Sequence, residues 1–91
     1  MTTILTGAIH TIFPTENYGN FTKRVLWLKE TDVKYPSIFS IEFWHDDISC
    51  LEDFKGSEIV NVQVEIRGKL WSKGGKENVI NILKGVGVKK I

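Results

Sequence analysis

Arg67, Lys69 and Trp71 alternate along the run EIVNVQVEIRGKLW, and Lys73 and Lys76 follow in SKGGKE. Alternate residues of a strand share one face about 7 Å apart. That sets two cations and an indole in a row, close to the spacing of an extended nucleic-acid backbone. Such a row suits a flexible polyanion: cations follow phosphates, and flat side chains receive unstacked bases, each worth about 1–3 kcal/mol. Gly74 and Gly75 let the loop bend, so that Lys73 and Lys76 can close over a bound strand. The even-numbered Val60, Val62, Val64 and Ile66 form the opposite, apolar side. The same residues also describe a solvated hairpin whose Trp71 rests on its own lysine stems. Residue types alone leave both readings open.

A second group lies upstream. In KRVLWLKE, Trp27 is in phase with Lys23, Val25 and Lys29 and opposite Leu26 and Leu28, which makes it a second stacking candidate on an outward face. Packing beneath a loop, or at a homodimer contact, is the alternative. Tyr18 and Phe21, beside Asn17, Asn20 and Lys23, are placed either to clamp a base or to pin their own loop. Trp44 closes SIFSIEFW next to His45, Asp46 and Asp47, where negative charge would repel phosphates. Strand ends often bulge and reverse phase, so Trp44 reads as a cap on the fold rather than as a stacking residue.

Reactive constellations are missing. His45, Asp46 and Asp47 are adjacent and point in alternating directions on an extended chain, with no second cluster to complete a metal's coordination sphere. The aspartates fit a turn or a helix N-cap better. Cys50 has no orienting third group to make it a nucleophile with His10 or His45, and suits a small buried position on a connecting helix. SKGGKE lacks the spacing of a phosphate-binding P-loop and follows no βα unit. The chain therefore reads as a binding protein, not an enzyme, with no metal and no cofactor.

The elements that must position these residues are strands. ILTGAIHTIF (4–13) is the first, with Gly7 as its expected bulge or bend. PTENYGNFT (14–22) is a turn-rich loop. KRVLWLKE (23–30) is the second strand. TDVKYP is a turn, and SIFSIEFW (37–44) is the third strand, burying Phe39, Ile41 and Phe43 by phase. In HDDISCLEDFKGS (45–57), Ile48, Leu51 and Phe54 are spaced three apart, which predicts a short helical link ending near Gly56. EIVNVQVEIRGKLW and NVINILKGVGVKKI, either side of SKGGKE, are strands four and five. The pattern is all-β, and its order is that of a five-stranded OB-fold barrel with a short helical link between strands 3 and 4. That barrel presents strands two and three and its 1–2 and 4–5 loops to oligonucleotides or oligosaccharides. A five-strand sandwich or SH3-like barrel is the competing arrangement.

At 91 residues the chain is one domain, 1–91. A 42% apolar and 25% charged composition excludes a disordered chain. No apolar run approaches the roughly 18 residues a membrane span requires, and no secretory leader opens the sequence. The single Cys50 fits a reducing compartment, so a cytoplasmic location is expected, host cytoplasm if the chain is phage-encoded. The formal net charge of +1 hides a strong polarity. Six acids (Glu42, Asp46, Asp47, Glu52, Asp53, Glu58) face one lysine between residues 42 and 58, whereas 67–76 holds four bases and no acid. For a partner, the local field matters more than the sum.

YPSIFSIEFWHDD, and then FKGSEIVNVQVEIRGKLWSKGGKENVINILKGVGVKKI, resembles a family of small single-domain OB-like proteins of unknown function related to single-stranded DNA-binding proteins. The likeness covers nearly the whole chain, and IRGKLWSKGGKE is its most specific block. It implies an OB fold that binds single-stranded DNA, with the strand 4–5 hairpin in the interface. Three departures stand out. Val79, Ile80 and Val86 occupy a last strand that often carries aromatics in the family, His45 stands where Gly is usual, and the chain stops at VKKI without an acidic recruiting tail.

The expected function is sequence-independent binding of single-stranded DNA in replication, recombination or repair. Lys23, Lys29, Arg67, Lys69, Lys73 and Lys76 would meet phosphates, and Tyr18, Phe21, Trp27 and Trp71 would meet bases. RNA is a competing ligand, homo-oligomerisation is expected from the modest charge, and replication or recombination proteins are candidate partners. The main alternative is an OB-like protein–protein interaction module using Trp27, Trp71 and the acidic 42–58 segment. A sugar- or ligand-binding barrel suits the aromatics but not the row of cations.

Overall fold

The alternation of apolar and polar residues is realised as six strands in a computed structural model that describes residues 1–91. They are β1 (Thr2–Ile12), β2 (Glu16–Tyr18), β3 (Phe21–Lys29), β4 (Ile38–Trp44), β5 (Ile59–Lys73) and β6 (Lys76–Lys90). A 3-10 helix, His45–Leu51, follows β4. No helix is long and apolar enough to cross a membrane.

Five strands close on themselves. β1 pairs with β5 over Thr2–Ala8 and with β3 over Ala8–Ile12, so one bent strand serves both flanks. β3 pairs with β4, β4 with β6 and β6 with β5, completing the circuit of an OB barrel. The parallel β4–β6 seam holds only two residue pairs, Ile41 with Leu83 and Glu42 with Lys84. β2 is a short addition on the outer edge of β3. It corrects the expectation of a loop over 14–22: Tyr18 and Phe21 face each other across a tight hairpin at Gly19, and β3 begins at Phe21 rather than Lys23.

The bend in β1 also falls elsewhere than expected. The register shifts at His10, between Ile9 and Thr11, while Gly7 continues the regular β5 ladder. Gly7 serves close approach instead, because a Cβ there would overlap the Lys29 carbonyl of the crossing strand. Gly85 plays the same part at the seam, where the Phe43 ring occupies the space of a missing Cβ.

Phase places the core as the sequence predicts. Leu26, Leu28, Ile41, Phe43, Val60, Val62 and Val64 are fully buried with Ile9 and Leu51, and Phe39 packs partly against them. Ile66, on the same side as the valines, is only half-buried, because the barrel ends there. In the link, a three-residue spacing eclipses side chains at three residues per turn. Leu51 is accordingly buried, with Ile48 and Phe54 packed against the core. Asp46 and Asp47 do not cap this helix as expected. They lie in its first turn, and Trp44 occupies the N-cap with no side-chain capping bond.

Candidate nucleic-acid interface

Beyond the Ile66–Leu83 pair, β5 and β6 leave the barrel as a two-stranded ribbon with no third neighbour. Lys73 pairs with Lys76, and Gly74 and Gly75 turn the chain with φ of +60° and +78°. Two consecutive positive φ values define the mirror-image turn that matches strand twist. Opposed residues in an antiparallel pair share a face, so the ribbon has two distinct sides. One carries Arg67, Lys69, Trp71 and Lys73 opposite Ile82, Ile80, Asn78 and Lys76. The other carries Ile66, Gly68, Leu70 and Ser72 opposite Leu83, Asn81, Val79 and Glu77, with no cation. The alternation seen in the sequence is thus a basic aromatic face backed by an apolar one.

At the ribbon's base the basic face runs onto the outer surface of β4. The Trp44 ring lies 5.0 Å from Lys84 Nζ and 6.0 Å from the Arg67 guanidinium, measured to its centroid. Its indole N–H donates to Glu42 Oε1 at 2.9 Å. The phase reversal expected at the end of β4 does not occur: pairing with β3 stays regular to Lys23–Trp44, and Trp44 points outward with Glu42. Cation–π contacts at exposed sites are worth about 0.5–1 kcal/mol each. Trp44 is therefore not a cap on the core but the surface that gathers two cations from β5 and β6. Arg67 also donates to Glu65 at 2.6 Å, so its guanidinium is partly engaged within the fold. Lys69, Lys73 and Lys76 are exposed and form no ion pair.

On β3, Lys23 lies directly opposite Trp44, with its Nζ 5.7 Å from the Tyr18 ring. The Tyr18 hydroxyl donates to Glu16 at 2.6 Å, and this bond, then the Glu16 charge, raises the phenol pKa. Phe21 is half-buried and meets Trp44 and His45 edge-on, at 5.5 and 5.0 Å between centroids, so it walls the junction instead of offering a free face. Four residues beyond Lys23 on β3, about 13 Å away, Trp27 forms a second aromatic station. It is 38% exposed, stands edge-on to Phe13 at 4.7 Å, and lines an open groove of about 450 Å³ with Phe13, Pro14, Glu16 and Val25. Lys29 ends this track, exposed and opposite Ile38.

The predicted residues thus fall into two clusters, the ribbon and the β3 face, which the sequence alone does not connect. Trp44 and Lys84 join them, and both were missed. Their signal was present, since each is out of phase with a core neighbour, Phe43 and Leu83; the acids after Trp44 argued the other way. The 30–37 loop was missed as well. Its ends are held by hydrogen bonds from Glu30 N–H to the Ser37 carbonyl and from Ser37 N–H to the Glu30 carboxylate. It presents Tyr35, 82% exposed with Lys34 5.5 Å from its ring.

A family model described as a domain of unknown function, DUF3127, matches residues 4–88. No curated protein matches the chain. Two crystal structures of Rim1, a mitochondrial single-stranded DNA-binding protein from S. cerevisiae, share its architecture. One superposes with a TM-score of 0.78 at 13% identity, the other, from selenomethionine-labelled protein, with 0.77 at 12%. In both, the match covers 100% of this chain and 94% of the yeast chain. At such identity the likeness establishes the OB fold.

Proposed function

The chain belongs to the DUF3127 family, and from that premise we propose that it binds single-stranded DNA with little sequence preference. One observation carries this reading: the free cations and Trp71 share one face of the ribbon, and Trp44 continues that face onto the barrel. Phosphates would follow Lys69, Lys73 and Lys76, then Arg67 and Lys84, then Lys23 and Lys29. Bases would stack on Trp71 and Trp27, whose π faces accept any base. The yeast protein of the same architecture carries single-stranded DNA binding in its name, which supports the ligand class.

Support for replication, recombination or repair follows from such a ligand, with binding rather than catalysis as the activity, in the cytoplasm and by more than one copy. RNA offers the same phosphates and bases and is the natural competitor. An interaction module is the second reading, favoured by the exposed Leu70 and Val79 on the ribbon's other side.

Salt separates the two. Phosphate tracking by these seven cations predicts a log–log slope of affinity against salt near −5, from about 0.7 per contact on single strands. Anisotropy of labelled oligo-dT between 50 and 300 mM salt would measure it. A slope close to zero would remove the DNA reading and leave the module.

A further inference from the structure

The cation-free side of the ribbon has no partner in the fold. Leu70 is 63% exposed and Val79 59%, side by side on a lone strand pair. An isolated two-stranded ribbon is marginally stable in water, and needs a third strand or a covering layer. DNA does not supply that layer, because this side offers no lysine or arginine and ends in Glu77. Its relief is self-complementary instead. Leu70 and Val79 form a ridge, and Gly68, next along the same face, leaves a notch where even a Cβ would meet only the Asn81 carboxamide oxygen, 3.5 Å away. Two ribbons packed face to face at the usual inter-sheet distance of about 10 Å would set each ridge in the other's notch.

Size decides when this happens. A projecting segment of about seven residues per strand is roughly 24 Å long and 10 Å wide. It offers about 200 Å² per copy, against about 800 Å² per partner in an ordinary stable interface. Alone, the contact is too small to hold a dimer at micromolar concentration. Two copies on one strand of DNA experience an effective concentration in the millimolar range, where a small apolar contact suffices.

We propose that the Leu70/Val79 side of the β5–β6 ribbon is a contact between copies of this chain on one strand, and makes binding cooperative. The inference rests on the single-stranded DNA reading and deepens it. Packing these sides together leaves both basic faces outward, so neither copy loses its own grip on the strand.

The test compares the wild type with a Leu70→Thr, Val79→Thr double variant. Threonine keeps strand propensity and charge, and both positions are exposed, so the fold is preserved. Affinity is measured on oligo-dT of about 10 nucleotides, room for one copy, and of about 60, room for several. The wild type should bind the long strand in clusters by sedimentation, with a per-site gain of roughly tenfold, within the usual range for coupling. The variant should match it on the short strand and lose the gain on the long one. Equal wild-type affinity per site on both strands, or a gain that persists in the variant, overturns the inference and leaves the DNA reading intact. Failure of the wild type to bind either strand overturns both.

Discussion

Glu58 shows how much one side chain at a loop end can do. Its carboxylate accepts the Lys55 N–H at 2.6 Å and pairs with Lys90 at 3.1 Å, tying the end of the link to the last strand. The Lys55 backbone bond, then Lys90, lowers its pKa. A carboxylate depressed on folding contributes stability above its unfolded pKa and loses it as pH falls through the folded value. Urea midpoints should therefore drop from about pH 5 to pH 3 in the wild type, and Glu58→Gln should make that drop shallower. An unchanged acid limb in the variant would show the contact to be idle. His45 is the other residue under constraint: its φ of +48° is left-handed, where a side chain costs about 1–3 kcal/mol. This gives a physical reason for the glycine that the family resemblance leads one to expect there. Its ring, set against Phe21 and 3.4 Å from the Thr22 hydroxyl, is what the chain has in exchange.

Among the elements, the β4–β6 seam is the most exacting. It closes the barrel with two residue pairs, and the Phe43 ring lies on Gly85 where any Cβ would collide. Gly85→Ala must push that ring off the seam, and overpacking of a filled core costs about 1–3 kcal/mol. Chemical denaturation should show a loss in that range, whereas Gly87→Ala, whose Cβ would have only the Gln63 side chain at 3.9 Å, should cost less. Equal losses at the two glycines would mean that the seam does not hold Phe43 as described. Such closure is invisible in the chain: Ile41 and Leu83 are ordinary strand residues until they meet. What was legible is whatever strand periodicity controls locally. The opposite phases of Leu26, Trp27 and Leu28, the buried Val60, Val62 and Val64, and the three-residue spacing of the link all follow from it. The bulge at His10 and the β2 strand were not legible, since each depends on where β3 crosses β1 or turns back on it.

At the scale of the whole molecule, charge and apolarity are sorted by side and not by segment. The net charge of +1 conceals a ribbon with cations on one side and none on the other. The cation row and Trp71 could be read from alternation alone, and so could the outward Trp27. Their connection could not, because Arg67, Lys84 and Trp44 lie on three strands and converge only when the barrel closes. The central claim is that this continuous surface receives unstacked bases. The most direct test is intrinsic tryptophan fluorescence titrated with oligo-dT of about 30 nucleotides, long enough to span the site of an OB fold, with duplex DNA as control. Quenching by the single strand alone, reduced in Trp71→Ala and in Trp27→Ala, is the predicted result. No quenching at low salt, or equal quenching by duplex, would contradict it.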